Sequence, residues 1–282
     1  RSSELAQGVQ YHVITIPIER DGPSPISSHA ESCRMTLRIL AVSDEVDQRI
    51  YSTTLRERMP DIELVIGCGD VPASYLEFLT DSLRRPVYYV LGNHAEEVTR
   101  AGERGITRLP EGCVNLGGKV IRDPFLGLIM AGLPGSPRYS EREPIQYTEA
   151  QMAWMMLRMV PRLLWNMVRH GRALDVLVTH APPRGINDRE DIAHRGFTAM
   201  RHFLKWFHPT YQLHGHVHLY DRSQSHIAHY QQTEIINVYP YQRLDLDLPD
   251  LDRDDPHHDE HLANTGRTVS ARPATMDLEQ RR

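Results

Sequence analysis

Cysteine is scarce in this chain. Three occur among the 282 residues, Cys33, Cys68 and Cys113, and no two of them form a Cys-x-x-Cys pair. An odd, widely spaced set argues against a disulfide framework or a zinc knuckle and reads as reduced, intracellular thiols. Long apolar runs are lacking too: no stretch reaches the roughly 18 residues that a membrane-spanning helix needs. No basic stretch leads into an apolar core near the first residues, so no secretory signal is read there and the expectation is a cytoplasmic protein. A surplus of basic charge is also missing. The formal charge is −5, whereas a grip on nucleic acid requires a clustered Lys/Arg face. Neither a membrane nor a nucleic acid is expected as a partner.

The remaining composition is that of a soluble globular protein, with 40% apolar and 24% charged residues. A chain of this length can bury a polar site and still fold, because the buried fraction rises with size. Histidine stands out. There are 16, and His214, His216 and His218 fall within five residues.

Residues 1–36 read as a flexible extension. Tyr11 to Ile18 alternates like an edge strand, and the turn-rich Asp21 to Ser28 follows it. The first methionine, Met35, stands just before the first core strand, so the folded domain is expected to begin there. From Leu37 short apolar runs rich in branched residues predict buried strands: Leu37–Val42, Glu63–Gly67 and Val87–Leu91. Between them Ala73–Leu83 carries an apolar stripe of helical period. Alternating strands and helices predict right-handed crossovers and a largely parallel sheet. The segment Cys113–Leu133 predicts two or three antiparallel strands about a Gly117-Gly118 turn. Thr148 to Gln151 is a capping box opening a long helix, which Pro161 is expected to kink or split. Asp175–Thr179, a helix over 196–207, Tyr211–Leu213, and two strands near Ile227–Tyr230 and Glu234–Val238 complete the domain, set at 37–244. The aspartate-rich remainder, 245–282, reads as an acidic disordered tail.

Each predicted core strand ends in metal-ligating residue types: Asp44, then Gly69-Asp70, then Gly92-Asn93-His94, then Thr179-His180, then Gly215-His216-Val217-His218. Open α/β sheets place their ligands at carboxyl ends of strands. One such cluster means little; five in succession, all oxygen and imidazole donors, predict a metal site. The two residues of His216-x-His218 point to the same side of an extended segment and can address neighbouring ions.

The order Asp, Gly-Asp, Gly-Asn-His, His, Gly-His-x-His resembles the calcineurin-like metallophosphoesterase family over roughly Leu37 to Leu244. The resemblance implies a four-layer α/β/β/α sandwich of two mixed sheets. It implies two divalent ions, manganese, iron or zinc, bridged by Asp70. Asn93, His180 and His216 would complete one site, and Asp44 with His218 would serve the other. His94 would protonate the leaving oxygen of a small phosphorylated substrate, a phosphomonoester or phosphodiester. The stretch Thr179-His180-Ala181-Pro182-Pro183 also resembles small members related to cyclic-nucleotide phosphodiesterases. Arg184, Arg189 and Arg195 are candidate phosphate-binding side chains, since guanidinium matches phosphoryl oxygens; the competing expectation is that they pair with Asp188, Glu190 and Asp191.

One position departs from the pattern. The family has Asp-x-His after its first strand, and this chain has Asp44-Glu45-Val46. The Asp44/His218 site is therefore expected to bind metal weakly unless Glu45 or Asp47 swings in. A non-catalytic or mononuclear relic acting as sensor or scaffold is the alternative function. A metallo-β-lactamase motif, His-x-His-x-Asp-His, fails because Leu219 follows His218.

Overall fold

The computed structural model describes residues 34–94, 100–101, 106–107, 109–140, 145–220 and 225–249. The strand expected at Tyr11–Ile18 and the acidic residues from Asp250 onward lie outside them.

Two mixed sheets face each other. In the first, β1 (Arg34–Val42), β2 (Leu64–Gly67), β3 (Val87–Tyr89) and β4 (Cys113–Asn115) run parallel in that order. The second contains β5 (Val120–Arg122), β6 (Ile129–Leu133), β7 (Val176–Thr179), β8 (Tyr211–His214), β9 (Ile227–Tyr230) and β10 (Thr233–Asn237), in the order β9-β10-β8-β7-β6-β5. Its four inner strands are parallel, and β5 and β9 are antiparallel edges. A final strand, β11 (Tyr241–Pro249), lies antiparallel along the outer edge of β1.

Side-chain alternation builds the layers. Along β1, Leu37, Ile39 and Ala41 point between the sheets, where they meet Val176, Val178 and Leu213 of the second sheet. Leu40 and Val42 point the other way, onto α1 (Leu55–Arg58) and α2 (Ala73–Leu83). Leu177 of β7 points outward onto α3 (Glu149–His170) and α4 (Thr198–Phe207). A period of two, apolar on both phases, is what a strand buried on both faces requires. The result is the expected α/β/β/α sandwich.

Four expectations are corrected. The chain does not form a hairpin at Gly117-Gly118: β4 pairs in parallel with β3, and the two glycines carry the chain across to β5 in the other sheet. The antiparallel pair is β5 with β6. Helix α3 is not split at Pro161 but runs unbroken for 22 residues. Pro161 lies on its exposed side, where the Leu157 carbonyl that loses its partner can reach water. The folded chain also extends past residue 244. Asp245 to Pro249 continue β11, with Leu246 and Leu248 1% and 0% exposed and Asp245 paired opposite Arg38. The outward-facing aspartates Asp245 and Asp247 hid an alternation that a strand reads as one apolar and one polar face. At the other end, β1 already begins at Arg34, opposite Pro249. The capping box is present as expected: Thr148 Oγ1 accepts from Gln151 N, and Gln151 Oε1 accepts from Thr148 N.

Candidate metal centre

The carboxyl ends of the parallel strands of both sheets open toward one cleft of about 310 Å³, lined by Asp44, Asp70, Asn93, His94, His216 and His218, with Tyr139, Ala193 and His194 completing its wall. Ligand atoms of Asp44, Asp70 and His180 lie within 4.8 Å of one another.

Three of these residues adopt left-handed backbone conformations: Asp44 (φ 64°), Asp70 (φ 53°) and His216 (φ 67°). Each costs a non-glycine residue about 1–2 kcal/mol, and such strain concentrates where a site dictates the backbone. The neighbouring glycines follow from the same crowding. A Cβ on Gly92 would stand 2.1 Å from Asp70 Oδ1, and one on Gly215 would stand 1.7 Å from Ser43 Oγ and 2.4 Å from Asp44 Oδ2. The carboxylates occupy the space that a side chain would need, which explains Gly-Asn-His and Gly-His-x-His in physical terms.

Hydrogen bonds fix the side chains around the cleft. His180, wholly buried, gives its Nδ1 proton to the Cys68 carbonyl at 2.8 Å, leaving Nε2 at 3.1 Å from Asp70 Oδ2 and 3.0 Å from Asn93 Oδ1. Asn93 Nδ2 donates to Tyr139 Oη at 3.2 Å, so the amide oxygen faces inward. His216 Nε2 donates to the Ala193 carbonyl at 2.7 Å. Asp44 Oδ2 accepts from Ser43 Oγ at 2.5 Å and from His216 N at 2.9 Å, while Oδ1 stands 3.5 Å from His218 Nε2. The His218 ring stacks on Tyr239 with centroids 4.4 Å apart and interplanar angle 10°. An imidazole whose second nitrogen is tied to a carbonyl is the usual support for a metal-ligating histidine.

Charge in the site is tightly linked. Burial alone would push His180 down, but the Asp70 and Asp44 carboxylates and the Cys68 carbonyl raise it to about 9. Burial would raise Asp70 and Asp44, yet the His180 charge on Asp70, and the His218 hydrogen bond and His180 charge on Asp44, hold both carboxyls low. His216 is driven down by burial and by repulsion from His180. Two buried carboxylates thus call for positive charge between them. Carboxylate, amide and imidazole donors suit manganese, iron or zinc, so these residues fit the implied ions.

His214, by contrast, is a satisfied core residue: Nδ1 donates to the Gly215 carbonyl at 3.0 Å, Asn187 Nδ2 approaches Nε2 at 3.2 Å, and burial lowers it to about 4. The three arginines are not brought into the cleft wall. Arg184 pairs with Asp188 at 2.7 Å and Glu190 at 2.8 Å, Arg195 donates to the Glu190 carbonyl, and Arg189 donates to the His218 carbonyl at 2.6 Å. Val46 packs against the apolar cluster under β1. Neither acidic neighbour turns in to replace it: Asp47 binds Arg49, and Glu45 accepts from Tyr239 Oη at 2.7 Å. Tyr139 and His194 were not foreseen. His194 lies beside His216, ring centroids 5.2 Å apart, with its Nδ1 2.8 Å from Asp191 Oδ1. Neither position follows a core strand, so nothing in the spacing marked them.

Two facing mixed sheets with helices outside and an Asp/Asn/His cleft at their strand ends define a metallophosphoesterase-type fold. The calcineurin-like phosphoesterase family model matches residues 37–220, and the chain belongs to that family. A solved crystal structure superposes with TM-score 0.51 at 15% identity, covering 75% of this chain and 95% of that one; a likeness at that identity is one of fold. A crystal structure of a Thermus thermophilus protein is 16% identical with TM-score 0.47, covering 72% of this chain and 89% of its own. Vacuolar protein sorting 29 from Cryptosporidium parvum is 12% identical with TM-score 0.34, covering 72% and 74%. Among curated proteins none matches. No helix of the described residues is long and apolar enough to cross a membrane.

Proposed function

We propose that this chain is a metal-dependent phosphoesterase acting on a small phosphomonoester or phosphodiester. The observation that carries the proposal is the convergence of Asp44, Asp70 and His180 at the base of an open cleft. Asp70 would bridge two ions, with Asn93, His180 and His216 on one and Asp44 and His218 on the other. Divalent ions held there would supply Lewis-acid charge to the phosphoryl oxygens and lower the pKa of water.

The chain's own side chains do the rest. His94, exposed at the cleft, is anchored by its backbone N–H on Asp70 Oδ1 at 2.9 Å, and its imidazole serves as the proton donor to the leaving oxygen. Tyr139 and the Cys68 carbonyl fix the rotamers of Asn93 and His180, so that no reorganisation is needed when substrate arrives.

A second reading, a protein that holds metal without turnover, draws on Val46 being packed into the apolar cluster. Metal content and hydrolysis of p-nitrophenyl phosphate and bis-p-nitrophenyl phosphate, with manganese, ferrous iron or zinc supplied, separate the two. Asp70→Ala should lose metal and activity together. His94→Ala should retain metal and lose about 10²–10⁴-fold in rate on substrates with poor leaving groups. Metal retention without any hydrolysis in the parent would leave only the second reading standing.

A further inference from the structure

Helix α3 carries two apolar stripes. The inner one, Met152, Met156, Met159 and Leu163, is buried on the second sheet. The outer one, Trp154, Leu157, Pro161, Leu164 and Val168, has the same three-four spacing, and Trp165 stands beside it. Trp154 is 61% exposed, Trp165 58% and Val168 85%. A helix apolar on both sides is normally covered on both, and a contiguous exposed apolar patch marks an interaction site. The patch continues onto α4 across an apolar groove of about 280 Å³ that includes Leu157, Val160 and Phe203. There Trp206 is 64% exposed. All three tryptophans of the chain therefore sit on this one surface.

Its charge has one sign. Residues 150–174 contain no aspartate or glutamate, and neither does α4. At about 100° per residue, Arg158, Arg162 and Arg169 form one flank of the outer stripe, and α4 adds Lys205. The one acid of α3, Glu149, is turned onto the amides of Thr198 and Ala199 at 2.8 and 3.1 Å.

We propose that this surface docks on an anionic phospholipid bilayer, with α3 lying in the plane of the interface. Tryptophan settles at headgroup depth. Arginine and lysine extend their charges to lipid phosphates while their stems cover apolar surface, and a Trp/Leu face flanked by cations is the pattern of an interfacial helix. The contact is peripheral: α3 keeps its buried stripe on the sheet and does not span. A second copy of the chain fits less well, because a two-fold contact through this face would set arginine against arginine with no acid between them.

The test uses the full chain with vesicles of phosphatidylcholine alone or mixed with phosphatidylserine, at about 0.1 M salt. Co-sedimentation and tryptophan emission are both read, since every tryptophan lies on the face. The expected result is binding to phosphatidylserine vesicles only, with blue-shifted, quencher-protected emission, and release at about 1 M salt, where the screening length falls to about 3 Å. The pair Arg158→Gln/Arg162→Gln should weaken lipid partition about 25-fold, at about five-fold per cation. The pair Trp154→Ser/Trp165→Ser should also lose partition, and both pairs should keep the parent melting temperature and metal content. Absence of binding, equal binding to neutral vesicles, or partition unchanged in the arginine pair overturns the proposal. So does a lipid-free dimer, seen by sedimentation equilibrium, whose formation protects the tryptophans.

Discussion

Gly215→Ala is the most informative single substitution at the candidate metal centre, because it adds one methyl group where the site has no room. The new Cβ would stand 1.7 Å from Ser43 Oγ, 2.6 Å from Ser43 Cβ and 2.4 Å from Asp44 Oδ2. A hydroxyl can rotate away, but Ser43 Cβ cannot, and Ser43 is 0% exposed. The backbone after β8 must therefore retreat from that after β1. Overpacking of a closed site costs about 1–3 kcal/mol. Retreat also lengthens the bond from His216 N to Asp44 Oδ2, now 2.9 Å, and a hydrogen bond to a charged group is worth about 1.5–3 kcal/mol. The combined loss is about 2.5–6 kcal/mol. At about 2–4 °C per kcal/mol for a domain of this size, thermal unfolding should fall by roughly 5–24 °C. Gly171→Ala is the control. Its Cβ meets nothing within 4 Å and only the left-handed conformation (φ 70°) is penalised, so about 1–2 kcal/mol is expected. Calorimetric titration of manganese into the metal-free proteins reads the second half of the effect. Gly215→Ala should weaken binding through Asp44, and Gly171→Ala should not. A Gly215→Ala protein that melts within about 2 °C of the parent and binds metal equally well would refute the close approach of these two strand ends.

Val46→His should not tighten metal binding, because residue 46 packs on the apolar cluster beneath β1; burying an imidazole there should cost about 1–3 kcal/mol, and calorimetry showing a tightened site would mean that the segment can turn into the cleft. Ending the chain after Leu244 removes buried Leu246 and Leu248 and the outer partner of β1, at about 2–5 kcal/mol per leucine, so its melting temperature should fall well below that of a chain ending after Pro249. Thr148→Ala removes the cap on Gln151 N and should cost about 1 kcal/mol, or about 2–4 °C in thermal unfolding, with no change in metal affinity. Tyr139→Phe frees the Asn93 amide that now donates to Tyr139 Oη; metal affinity should drop while the melting temperature holds, and unchanged affinity would show that Asn93 is positioned by other contacts.

The sequence by itself determined which candidate residues stand at the ends of strands. Asp44, Asp70, Asn93, His180, His216 and His218 were legible because each follows a short run that reads as a strand, and a parallel strand's end is a local feature that spacing records. The Gly-Asp and Gly-Asn-His steps were legible too, although their reason was not: only the folded chain shows the Asp70 carboxylate filling the volume beside Gly92. Helix α2 and the Thr148 capping box were read correctly, since both rest on contacts within four residues. Tertiary structure decided what depends on partners far along the chain. β11 reads as an acidic tail until β1 is laid beside it, 211 residues away at Thr36 and Asp247, and sorts its leucines inward. Gly117-Gly118 looks like a hairpin until two separate sheets compete for its flanking strands. Arg184 is a candidate phosphate ligand in the sequence, and the fold pairs it with Asp188 and Glu190; Val46 stands where the family pattern has a histidine, and the fold packs it on the core. Local periodicity specifies which residues lie at strand ends. Which of those residues face a shared cleft is set by long-range pairing, whose energy no window of sequence contains.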